Sequence, residues 1–184
     1  MHAFLEEGRL PNHLERAHVV PIYKNGDTEE PNNYRPISIT SAVSKIFEKV
    51  LRNQMVDFLD RHKHLSPIQF GFRAKFSTTD ALLYATENIR SDINNNKMLA
   101  AAFLDLSKAF DSISHEILLE KLEGYHFDGT AIALIESYLT NRTQKVILQN
   151  TSSDWISLYQ GVPQGTVLGP LSFNHTFTLT VCKT

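Results

Sequence analysis

The stretch 99-LAAAFLDLSKAFDSISHE-116 decides how the rest of the chain is read. An apolar run from Met98 to Leu104 ends on a carboxylate, Asp105; a second acid, Asp111, follows the aromatic Phe110. A continuous rather than alternating apolar run predicts a strand buried on both faces. A carboxylate closing such a strand loses its hydration unless it is paired, hydrogen-bonded or bound to a cation. Two readings of Asp105 follow. It is a turn acid accepting backbone N–H bonds, or a ligand for a hard cation such as Mg2+, which takes oxygen donors. Asp111 precedes Ser-Ile-Ser-His-Glu and reads first as a turn or helix cap, and Phe110 on its own reads as core.

The chain has 184 residues, enough for one domain or most of one. Its hydrophobic share of 42% and charged share of 21% are those of a soluble globular protein. A net charge of −2 excludes the overall basic signature of many nucleic-acid binders, though a local basic groove fits a neutral protein. The single Cys182 excludes an internal disulfide framework and suits a reducing compartment. No apolar run is long enough to span a bilayer, so no membrane partner is expected. Glu6 and Glu7 stand where a secretory leader would be apolar, and none is expected.

Upstream, Val19, Val20 and Ile22, then Ile37 and Ile39, predict two short strands around a polar loop with Asn-Gly-Asp turn chemistry at 25–27. Lys24 precedes the turn and Arg35 follows the loop. They read as two solvent-facing charges or as a clamp for a triphosphate. Thr40 or Ser41 caps a predicted helix. Its apolar face carries Val43, Ile46, Phe47, Val50, Leu51, Met55, Phe58 and Leu59; Lys45, Glu48, Lys49, Arg52 and Asp57 lie opposite. The segment from Arg61 to Lys75 is basic and acid-free, with Phe70, Phe72 and Phe76 interleaved. It suits a groove for a single strand, or a solvated loop over buried rings.

Ser77 or Thr78 caps the next helix; others are predicted from Ser114 to Gly124 and after Asp128, the latter with Ile132, Ile135, Tyr138 and Leu139 on one face. "QKVILQN", a four-residue turn "TSSD" and "WISLYQ" predict a hairpin. It leads into 161-GVPQGTVLGP-170, whose glycines and prolines make a shaped loop. There Gly165 lets backbone approach a ligand closely, and Gln164 offers a donor and an acceptor. At the C-terminal end Phe177, Leu179 and Val181 alternate with polar residues at a strand period.

Five blocks occur in order: "VVPIYKNGD", "NYRPISITSAVSKIFEKVL", "IQFGFRAKFSTTDAL", "FLDLSKAFDSISHEIL" and "GVPQGTVLGPLSF". Together they resemble the reverse transcriptase domain of non-LTR (LINE-type) retrotransposons, over residues 1–173. The resemblance implies an α+β right-hand polymerase fold, here fingers plus partial palm (an antiparallel sheet flanked by helices) with the thumb absent. It implies RNA-directed DNA synthesis, in which a dNTP is added to a primer 3′ end by two-metal in-line displacement. Asp105 then matches the catalytic aspartate that bridges two Mg2+ ions, and the backbone carbonyl of Leu106 binds the metal carrying the triphosphate. Phe110 matches the steric gate that crowds the sugar where a 2′-OH would sit. Lys24 and Arg35 match the cations on the incoming triphosphate, and Gln164 and Gly165 match the nucleotide pocket. Arg73 matches a block near template and nucleotide. Partners would be an RNA template, a DNA primer and a dNTP, in an intracellular setting, nuclear or cytoplasmic; no oligomeric state is implied.

The family's next block holds two adjacent aspartates, and no Asp-Asp pair occurs in this chain, whose last aspartate is Asp154. Residues 174–184 depart from the family's apolar helix. The family pattern is therefore expected to end near Phe173 or Asn174, with the thumb and an upstream endonuclease missing and Met1 falling inside the domain. A two-metal site needs several carboxylates, so no polymerase activity is expected from this chain alone. A non-catalytic nucleic-acid-binding remnant and a functionless relic are the alternative readings. Without a partner hairpin, the strand ending at Asp105 predicts an exposed apolar edge and weak solubility.

Overall fold

The computed structural model describes residues 8–11 and 14–176. The two strands expected near the N-terminus form: β1 (Arg16–Tyr23) and β2 (Tyr34–Ile39) pair antiparallel, with Val19 opposite Ser38 and Ile22 opposite Arg35. On the other side of β1 lies β3 (Thr143–Leu148), paired parallel from Arg16 opposite Thr143 to Val19 opposite Val146. That ladder stops short of Pro21, which has no N–H to give and faces Pro36 across the hairpin. β3 then pairs antiparallel with two short strands, β4 (Thr151–Ser152) and β5 (Ile156–Ser157).

This sheet corrects three expectations. It is mixed rather than antiparallel, because β1 and β3 are separated by a long helical crossover, which parallel pairing requires. The hairpin turns at Gln149–Asn150, not at "TSSD": Leu148 pairs directly with Thr151, and Gln149 takes a φ of +53°. Ser153 interrupts the return strand, its hydroxyl accepting from the Val146 amide at 3.0 Å and its own amide donating to the Val146 carbonyl at 3.0 Å. Third, the strand predicted to end on Asp105 does not form. Among the described residues no backbone hydrogen bond ties 98–106 to a neighbour, and Phe103 and Leu104 are 92% and 82% exposed. A strand exists only against a second ladder, and none of the described strands lies alongside.

Four of the five described α-helices follow the capping signals. Ser41 caps α1 (Ala42–Arg61), Ser114 caps α3 (His115–Gly124) and Asp128 caps α4 (Gly129–Leu139). Ser77 caps α2 (Thr78–Asn94) with a reciprocal bond from Asp80, and α5 (Gly169–Thr176) ends the described chain. The core lies where α1, α3, α4 and the start of α5 meet, around Phe47, Leu51, Leu59, Leu118, Leu122, Leu134 and Leu168. The buried face of α1 is rotated from the expected one. Val43 and Ile46 are exposed, while Glu48, assigned to the polar face, is fully buried. α2 buries none of its residues.

The outcome is a mixed α+β domain with a sheet flanked by helices. α5 runs through positions 173 and 174 without a break. The strand expected around Phe177, Leu179 and Val181 lies outside the described residues. No described helix is long and apolar enough to cross a membrane.

Candidate functional site

Lys24 and Arg35 stand at the two ends of a closed loop. The Lys24 amide donates to the Asn33 carbonyl at 2.9 Å, and the Tyr23 and Tyr34 hydroxyls donate to the carbonyls of Gly26 and Thr28 at 2.6 and 2.8 Å. Gly26 turns the loop at a φ of +96°, where a Cβ would come within 2.6 Å of the Asn33 side chain. The hairpin tip thus fixes the backbone from which both cations project.

Facing it, two loops are laced together. The amides of Gly161 and Val162 donate to the carbonyls of Ile113 and Phe110 at 2.8 and 2.9 Å. His115 Nε2 lies 2.7 Å from the Gly161 carbonyl. At Gly161, with φ +79°, a Cβ would sit 2.9 Å from the Asp111 backbone, so the lacing requires glycine. Phe110, half-buried against the core, meets Phe72 edge-on at 6.2 Å.

The Pro-Gln-Gly segment joins these loops to the sheet and to α1. The Ser38 amide in β2 donates to the Gln164 carbonyl at 2.7 Å. Gly165 has φ +95°, and a Cβ there would stand 3.3 Å from the Ser38 carbonyl. Beneath, the buried Glu48 carboxylate accepts from the amides of Val167 and Leu168 at 2.7 and 3.3 Å and from the Ser44 hydroxyl at 3.2 Å. Arg142, also buried, lies over the Tyr138 ring at 4.8 Å and donates to the Tyr138 carbonyl at 3.1 Å. Burial, reinforced by the Glu48 charge, pushes the Tyr138 hydroxyl well above the ordinary tyrosine range.

Between the hairpin and the laced loops opens a cleft of about 810 Å³, bordered by Lys24, Arg35, Leu106, Lys108, Phe110, Asp111 and Gln164. Six of the residues singled out from sequence, Lys24, Arg35, Leu106, Phe110, Asp111 and Gln164, therefore border one cleft. Gly165 packs behind Gln164 on β2. Asp105 and Arg73 do not border the cleft. Arg73 is committed to Asp60 at 3.3 Å, to the Ser66 carbonyl at 2.9 Å and to the face of Phe76 at 4.9 Å.

Asp105 is exposed and, among the described residues, makes no hydrogen bond or ion pair. Among those residues, too, no three His, Cys, Asp or Glu side chains gather as metal ligands would. The described residues do not make a two-metal site. Asp111 is not the cap of α3, a role taken by Ser114; its carboxylate instead accepts from Gln164 Nε2 at 3.3 and 3.4 Å. Lys108, given no role by the sequence reading, borders the cleft as a third cation. Its signal was the Lys-Ala-Phe-Asp spacing: a tight turn, closed by Asp111 N–H to Lys108 O at 2.9 Å, brings the two ends together.

Comparison with known proteins identifies the family. A family model described as "Reverse transcriptase (RNA-dependent DNA polymerase)" matches residues 22–181. The chain is 34% identical over 173 residues to a Drosophila melanogaster protein named "Probable RNA-directed DNA polymerase from transposon BS", covering 94% of this chain and 19% of the relative. It is 31% identical over 171 residues to "RNA-directed DNA polymerase from mobile element jockey" of the same species, covering 92% and 19%. A third relative from that species, "Probable RNA-directed DNA polymerase from transposon X-element", is 34% identical over 153 residues, covering 83% and 17%. The chain thus spans about a fifth of the length of these curated relatives.

Proposed function

Because the chain belongs to the reverse transcriptase family, in the branch carried by non-LTR transposons, we propose that it is the nucleotide-binding part of an RNA-directed DNA polymerase. In this reading residues 1–173 are the fingers and a partial palm of a right-hand polymerase without its thumb, and 174–184 form a divergent tail. The observation that carries it is the convergence of Lys24, Arg35, Phe110 and Gln164 on one cleft. Arg35 offers a planar fork and Lys24 a point charge to the triphosphate of a dNTP. Lys108 adds a third positive charge on the opposite wall. Phe110, braced by Phe72 and the core, crowds the sugar. Gln164, tethered through Asp111 and Ser38, lines the base side.

No catalytic step is assigned to Asp105. Standing alone on an exposed segment, it does not assemble two divalent ions, and without them the developing charge in phosphoryl transfer goes unstabilised. The chain on its own binds dNTP, with RNA template and DNA primer as further partners, and does not extend the primer.

A fluorescent dATP analogue tests the cleft. Lys24→Ala combined with Arg35→Ala is expected to weaken its binding by about a hundredfold or more, since each cation contributes roughly 1.5–3 kcal/mol in a charge-assisted bond. Unchanged affinity would overturn the reading. Primer extension with Mg2+ and dNTPs is expected to give no product; extension that vanishes on Asp105→Ala would restore the complete enzyme.

A further inference from the structure

The sheet has a second face, and its chemistry differs from that of the cleft. Val19 and Pro21 in β1 and Val146 and Leu148 in β3 border the cleft. Side chains alternate along a strand, so Arg16 and His18 of β1 lie on the opposite face, together with Lys145, which pairs with His18. Trp155, two residues before Ser157 in β5, comes over this same face. The Arg16 guanidinium lies 5.4 Å from the indole centroid, Lys145 Nζ 5.2 Å and the His18 ring 5.6 Å. The indole remains 41% exposed.

Two further facts define the patch. No Asp or Glu occurs among the β1, β2 and β3 residues of this face, and among the described residues neither Arg16 nor Lys145 has a carboxylate partner. In a chain whose net charge is −2, this is a local concentration of positive charge around an exposed aromatic.

We propose that this face is a binding site for single-stranded nucleic acid, separate from the nucleotide cleft. Arg16 and Lys145 take phosphates, and the Trp155 plane stacks an unpaired base. Cation–aromatic contacts hold both charges over the ring before a ligand arrives, so little side-chain freedom is lost on binding. Along β1, β2 and β3 no carboxylate on this face repels a phosphate; Asp154, beside Trp155, is the acid next to the site in sequence. The aromatic selects a strand whose bases are unstacked over a duplex, which hides them. The proposal does not depend on the cleft reading, since Arg16, His18, Lys145 and Trp155 do not border the cleft.

Trp155 is the sole tryptophan of the chain, so its fluorescence reports on this face alone. Titration of the full chain with oligouridylate is expected to quench it saturably, and less as salt rises. Arg16→Glu with Lys145→Glu should weaken that response by about tenfold or more while leaving the thermal transition unchanged, because both side chains reach solvent. Trp155→Phe, followed by anisotropy of a labelled oligouridylate, should weaken binding several-fold. Inorganic polyphosphate, which has no bases, should compete without quenching.

Absence of quenching, equal binding by the double variant, or an equal response to anionic phosphatidylserine vesicles would each overturn the proposal. Lys24→Ala with Lys108→Ala, both at the cleft, should leave the quench intact. If it abolishes the quench, the nucleic acid occupies the cleft and this second site is refuted while the nucleotide reading stands. An intact quench with unchanged nucleotide-analogue affinity in the cleft variant would do the reverse.

Discussion

The carboxylate of Glu48, in the middle of α1, holds the Val167 amide at 2.7 Å across 119 positions of sequence. It also takes the Leu168 amide and the Ser44 hydroxyl, so one buried side chain joins α1 to the segment that carries Gln164 into the cleft. Glu48→Ala leaves those donors without that partner in a largely buried site. A loss of about 3 kcal/mol in urea unfolding is expected. Glu48→Gln keeps an acceptor and should lose about half as much. Equal stability of Glu48→Ala and the parent would show that the contact does not hold the segment.

Tyr138 sets an alkaline limit. Its folded-state hydroxyl is held well above the ordinary value near 10, so above that pH the unfolded chain gives up the proton first. The folded state then binds more protons than the unfolded one, and stability falls as pH rises. Below about pH 10 the contribution is complete. Thermal melts between neutral and strongly alkaline pH should show this decline, and Tyr138→Phe should make it shallower. Parallel slopes for the two proteins would refute it.

Gly161 is the hinge of the laced loops. Gly161→Ala places a methyl group 2.9 Å from the Asp111 backbone and imposes a left-handed φ on a residue with a Cβ. A loss of about 2 kcal/mol is expected from the backbone conformation and the displaced loop. Nucleotide-analogue affinity should fall with it, because Asp111 and Gln164 shift together. An alanine variant as stable as the parent would mean the two loops are not in register as described.

The segment 98–106 offers a solubility test. Phe103 and Leu104 are exposed and pack against nothing, so Phe103→Lys with Leu104→Lys removes apolar surface without breaking a contact. The fraction of soluble monomer on gel filtration should rise, and unfolding free energy should stay within about 0.5 kcal/mol. A large destabilisation would show that this segment is buried in solution.

At the start of α2, Asp80 is held below the usual carboxylate range by hydrogen bonds from the Ser77 hydroxyl and amide. The ionised form is the one that caps, so its stabilisation is present above the ordinary aspartate value and is lost as pH falls through the lowered one. Since α2 buries none of its residues, the cap carries unusual weight for this helix. Ser77→Ala should reduce helicity by circular dichroism at neutral pH, and the difference from the parent should shrink in acid. A helicity difference that persists unchanged in acid would contradict this.

Local chemistry was legible wherever a few neighbouring residues settle the matter. Ser41, Ser77, Ser114 and Asp128 begin helices because their side chains satisfy the first free amides, a fact of near neighbours. The hairpin carrying Lys24 and Arg35 was readable from β-branched alternation around a turn. The order of five motif blocks sufficed for the family. The apolar run before Asp105 looked like a strand for the same local reasons. Yet a strand is a relation between two segments, and the second is not supplied among the described residues. Long-range geometry alone decided that Glu48 is core, that Asp111 faces Gln164 rather than capping α3, and that Lys108 joins the cleft. These contacts join residues 53 to 119 positions apart, and no periodicity encodes the partner of a polar side chain at that range. The sequence by itself determined most of the elements, the helix caps and the family. Only the tertiary structure decided which charges meet, because burial and pairing depend on what the fold brings alongside.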